Sequence, residues 1–86
     1  MITNKMIADQ LIAYLTHQIS LVQLVDWAET KIIEGGFETN HEKTIRDSLG
    51  KIGLADVNQF GLLWEDCEQL MTQLGYKLKI EADLVA

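Results

Sequence analysis

The chain has 86 residues, 48 % hydrophobic and 23 % charged, with 13 acids against 7 bases and a formal net charge of −6. That length makes one domain over residues 1–86, and that composition excludes a disordered chain and leaves no room for an enclosed active site of any size. The acid excess repels phosphate backbones and anionic lipid heads, so no nucleic acid and no membrane are expected as partners; it suits solubility, or a basic protein partner.

Residues 77–86 balance Lys77 and Lys79 against Glu81 and Asp83, so the whole net charge lies on residues 1–76. A single cysteine rules out an internal disulfide framework and agrees with a cytoplasmic location. The apolar residues near the N-terminus are periodic and interrupted by Asp9, Gln10 and Thr16, which does not read as a signal peptide. There is no proline, and glycine supplies the punctuation.

A first helix is expected from about Asn4 to Gln18, on Met6, Ile7, Leu11, Tyr14, Leu15 and Ile19. Asp9, Gln10, Thr16 and His17 fall on its other side. A second helix starts at a capping box, Ser20 with Gln23, and a hydrophobic staple, Ile19 with Leu24. It runs to about Glu34, where Gly35 and Gly36 end it. Gly36 is the expected left-handed residue, with Phe37 folded back on Ile32. Leu21, Val25, Ala28 and Ile32 define its main face, and Trp27 projects about 140° from the centre of that face.

A third helix is expected from a Thr39–Glu42 capping box and carries Ile45, Leu49 and Ile52; Gly53 ends it and Leu54 reaches back to Leu49. A short helix over Asp56 to Phe60 follows, stopped by Gly61. The last helix spans about Trp64 to Leu74, with Leu63, Cys67, Leu70, Met71 and Leu74 as its stripe. It begins without a capping side chain, although Glu65 and Asp66 suit the helix dipole. Gly75 ends it, with Tyr76 against Met71.

Tyr76 to Glu81 then alternates apolar and charged residues, the signature of a half-buried strand. Tyr76, Leu78 and Ile80 face the core, and Lys77 and Lys79 face out. A lone strand needs a neighbour. The choices are a segment near Phe37 to Thr39, the same strand in a second copy (a homodimer through Tyr76–Glu81), or a foreign strand added by β-augmentation. The expected fold is therefore mainly α: a compact bundle of four to five short helices with one short C-terminal β-strand.

No Ser/His/Asp set, glycine-rich phosphate loop or basic aromatic patch is present. Glu38 and His41 have the Glu-x-x-His spacing of carboxylate-bridged metal sites, but only one such pair occurs, and His17 reads as a solvated residue near a helix end. No metal or cofactor is expected. Cys67 lies in a first helical turn, which lowers a thiol pKa, yet it is on the apolar stripe and flanked by acids, so it reads as buried and inert. Trp27 and Trp64 are core-rim residues by default and partner anchors as the sharper alternative.

Asp47-Ser48-Leu49, in an acidic helical chain, resembles the acyl carrier proteins, which implies a phosphopantetheine arm on Ser48 flanked by Asp47 and Leu49. The triplet departs from that pattern by falling inside the third helix, about two turns past its start. Separately, Ser20-Leu-Val-Gln-Leu-Val-Asp-Trp-Ala-Glu29 and Gly53-Leu-Ala-Asp-Val-Asn-Gln-Phe-Gly61, with Trp64-Glu-Asp-Cys67, resemble a group of short uncharacterised bacterial helical proteins. This second resemblance covers most of the chain and implies a free-standing small bacterial domain without supplying a site.

The expected function is a non-enzymatic, acidic protein-interaction module, such as an adaptor or an immunity- or antitoxin-like protein. Its candidate contacts are Asp26, Trp27, Glu29, Trp64, Glu65, Asp66 and Glu68. The alternative is an acyl-carrier-like protein modified at Ser48.

Overall fold

A computed structural model of the chain describes residues 1–55 and 63–78. Those residues form four α-helices: α1 (Asn4–Leu15), α2 (Leu21–Glu34), α3 (Glu42–Gly53) and α4 (Trp64–Gln73). The helix expected over 56–60 lies outside the described residues.

α1 starts at Thr3, whose hydroxyl accepts from the Met6 N–H at 3.2 Å. It stops before the expected Gln18 because His17 adopts a left-handed φ of 63°. The His17 N–H then donates to the Tyr14 carbonyl (3.1 Å) and the Gln18 N–H to that of Ala13 (2.8 Å). This is the Schellman pattern usually built on glycine, here with histidine in the left-handed position.

α2 keeps its expected bounds. Ser20 N–H donates to Gln23 Oε1 (2.8 Å), and Gln23 N–H to Ser20 Oγ (3.2 Å). Both Gly35 (φ 70°) and Gly36 (φ 75°) are left-handed, where Gly36 alone was expected. Two such residues swing the following segment away from α2 and onto the N-terminus. Ile2 N–H donates to the Gly36 carbonyl and Glu38 N–H to the Ile2 carbonyl, each at 2.8 Å, in a parallel Ile2–Phe37 bridge. Phe37 consequently packs on the core, with the Arg46 guanidinium 5.6 Å above its ring. Ile32, its expected contact, remains 42 % exposed.

The chain enters α3 through a tight 3-10 turn, Thr39–His41, and no side chain caps either start. The turn draws Thr39 inside itself, so Thr39 and Glu42 form no capping box; Glu42 instead accepts from Arg46 at 2.7 Å. Ile45, Leu49 and Ile52 are fully buried as expected. Leu54 is 55 % exposed, because Gly53 stays helical and does not take the left-handed φ that would turn Leu54 back toward Leu49.

At the start of α4 leucine has no acceptor to offer. Only the reciprocal half of a capping box forms, with Asp66 Oδ2 accepting from the Leu63 N–H at 3.0 Å. The end of α4 follows expectation: Gly75 has φ 91°, its N–H donates to the Thr72 carbonyl (3.1 Å), and that of Tyr76 donates to Met71 (2.8 Å). Residues 76–78 form no strand. Leu78 packs on the core and Tyr76 is 40 % exposed; the rest of the Tyr76–Glu81 segment lies outside the described residues.

All four helices supply the core. Ile7 and Leu11, Leu24 and Ala28, Ile45, Leu49 and Ile52, and Cys67, Leu70, Met71 and Leu74 meet in one cluster, joined by Ile2. The α2–α3 pair makes the most extensive helix contact. Within it, a Cβ added at Gly53 would lie 3.8 Å from the Cγ of Glu29. Asn4 Nδ2 donates to the Leu74 carbonyl at 3.3 Å and ties the start of α1 to the end of α4.

Candidate interaction surface

The buried residues of α2 are Leu24, Val25 and Ala28. This core face is turned toward Leu24 relative to the one expected from Leu21, Val25, Ala28 and Ile32, and the rotation brings Trp27 half-buried against the core. The same rotation pushes other residues out. Asp26 and Glu29 are exposed, and so are Val22 (60 %) and Ile33 (86 %). At about 100° per residue, Val22, Asp26, Glu29 and Ile33 fall within about 60° of one another. They form one solvent-facing stripe with acids in the middle and apolar side chains at both ends. Val22 and Ile33 were not among the expected contacts; their spacing from the two acids was the available signal.

The acids of α4 are placed differently. Glu65 and Glu68 are exposed, whereas Asp66 is half-buried and engaged in the helix cap. Trp64 is half-buried. No hydrogen bond or ion pair links the α2 acids to the α4 acids among the described residues.

Ser48 has no exposed surface, and its Oγ has no hydrogen-bond partner. His17 and His41 are exposed at different helix ends, and no cluster of His, Cys, Asp and Glu among the described residues could hold a metal ion. No described helix is long and apolar enough to cross a membrane.

Cys67 is fully buried, and burial, seconded by the nearby Asp66 carboxylate, pushes its thiol up to about 11 from 9.0. The folded state thus disfavours the thiolate. The resulting stabilisation is fully present below pH 9 and is lost as pH rises toward 11, by up to about 2–3 kcal/mol. Urea denaturation of the wild type and of Cys67→Ala between those pH values should show this slope in the wild type only. Equal slopes in both proteins would contradict it.

In comparisons with known proteins, no family model, no curated protein and no solved structure matches this chain. What the described residues define is a small helical domain with a single core and one sharply patterned helical face.

Proposed function

We propose that this protein is a non-enzymatic, acidic interaction module, of the adaptor, immunity or antitoxin kind, that covers a basic surface on another protein. The observation that carries the reading is the α2 stripe of Val22, Asp26, Glu29 and Ile33, which places two carboxylates between two exposed apolar side chains. Apolar residues this exposed contribute nothing to the core and supply contact area to a partner, while the acids select its charge. Trp27, about 130° round the helix from the centre of the stripe, packs on the core, and Glu65 and Glu68 are further exposed acids on α4. The reading goes with a small bacterial protein acting in the cytoplasm.

The test is a low-salt pull-down from the native host with the wild type, with Asp26→Lys/Glu29→Lys, and with Glu65→Lys/Glu68→Lys. A basic protein retained by the wild type should be lost at least about tenfold with the α2 variant, as expected when close interfacial charges are reversed. Retention should fall less with the α4 variant. No specific partner, or equal retention by the α2 variant, would count against the reading. The acyl-carrier alternative requires α3 to open around Ser48, which has no exposed surface. An unmodified intact mass after co-expression with a phosphopantetheinyl transferase would end it.

A further inference from the structure

α3 presents a face opposite in character to the stripe on α2. Lys43, Arg46, Asp47, Gly50, Lys51 and Leu54, with Gln73 of α4, line a shallow open cleft of about 630 Å³. Three of the chain's seven basic residues lie here. Arg46 is held by Glu42, but neither Lys43 nor Lys51 is in an ion pair among the described residues. The exposed Asp47 lies between them, yet it too forms no ion pair among the described residues. Leu54, 55 % exposed, gives the cleft an apolar end.

Gly50 lies in the middle of α3, where glycine costs about 1 kcal/mol relative to alanine. Nothing lies within 4 Å of a Cβ built on it. No packing among the described residues therefore requires a glycine at this position. Its effect is to leave the floor of the cleft low enough for another helix to approach closely.

We propose that the occupant of this cleft is α2 of a second copy, and that the protein forms a two-fold dimer in which each α2 stripe lies in the other copy's α3 cleft. Charge and length both match: Val22 to Ile33 and Lys43 to Leu54 each cover about 16 Å at 1.5 Å per residue. With the two helices parallel, Glu29 meets Lys51 and Ile33 meets Leu54, Asp26 lies within reach of the Lys43 ammonium, and Val22 covers the aliphatic stem of Lys43. The two faces also adjoin. Glu29 packs on Gly53, the residue before Leu54, so the acidic stripe and the basic cleft border each other on one side of the molecule. An acidic half beside a basic half is self-complementary under a two-fold axis, which makes both contacts at once and closes the assembly.

This inference rests on the α2 stripe of the proposed function and adds that the basic surface it covers at rest is the protein's own. Sedimentation velocity on the full chain tests it, at about 0.05 M and about 0.5 M salt. The wild type should dimerise at low salt and dissociate at high salt. Lys43→Glu/Lys51→Glu and Asp26→Lys/Glu29→Lys should each weaken the dimer at least about tenfold, and an equimolar mixture of the two should restore a heterodimer. All four positions are exposed, and circular dichroism of each variant confirms that it is folded; Lys43→Ala/Lys51→Ala replaces the reversal if it is not.

A wild type that is monomeric at low salt, a Lys43/Lys51 variant that dimerises normally, or a mixture that stays monomeric would overturn the proposal. The Lys43/Lys51 variant keeps its α2 stripe. If it captures a foreign basic partner as the wild type does while the wild type is monomeric, only the dimer fails. If the dimer forms and no foreign partner exists, only the wider function fails.

Discussion

Leu49→Ala should lower the unfolding free energy by about 3–4 kcal/mol, whereas Ser48→Ala, at the adjacent position, should leave it unchanged or raise it by up to about 1 kcal/mol. Both side chains are fully buried on α3. Leu49 belongs to a cluster fed by all four helices, and truncating it leaves a cavity that its surroundings only partly relax to fill. Ser48 brings a hydroxyl into the same interior with no partner for its oxygen. Alanine removes that desolvation cost and is the better helix former. For a chain of this length, whose total stability is of the order of 5–10 kcal/mol, the first change consumes much of it. Urea denaturation with an unchanged m-value is the measurement. A Ser48→Ala cost above about 1 kcal/mol would show that the hydroxyl is bonded in solution and would overturn the burial argument.

What could be read from the chain was what local chemistry determines. The start of α2 was legible because Ser20 and Gln23 satisfy each other's backbone within one turn, and the end of α4 because Gly75 permits a conformation that few residues adopt. The end of α1 was not legible from glycine, because His17 takes the left-handed turn in its place. Thr39 and Glu42 have the spacing of a capping box, but the 3-10 turn at Thr39–His41 gives the segment another geometry. The candidate surface was legible in part for a related reason. Asp26 and Glu29 stood out by charge, but Val22 and Ile33, outside the expected face of Leu21, Val25, Ala28 and Ile32, carried no mark of their own, and packing against α3 fixed the rotation of α2 about its axis. Periodicity gives the width of an apolar face; the neighbouring helix decides which edge of it stays wet.

Ile2→Ala should cost about 2–4 kcal/mol, a large effect for a residue so close to a chain end. Terminal residues are ordinarily loose unless something ties them down. Here both backbone groups of Ile2 are bonded to the segment between α2 and α3, and its side chain is 3 % exposed in the core cluster. The link spans a sequence separation that no local pattern reveals, and one bridged residue is too short for alternation to register. Its consequence reaches further than Ile2. The Glu38 N–H bonded to Ile2 fixes the segment from which Phe37 packs inward beneath Arg46, and that segment sets the entry into α3. Loss of the isoleucine side chain should therefore speed hydrogen exchange at the Glu38 amide first, and at interior amides of α3 only to the extent that global stability falls. Ile2→Val, which keeps most of the buried surface, should cost about 1 kcal/mol and preserve Glu38 protection. If the Glu38 amide exchanges freely in the wild type and Ile2→Ala costs less than about 0.5 kcal/mol, the N-terminal bridge does not persist in solution, and the orientation of α3 must be set by the α2–α3 contact alone.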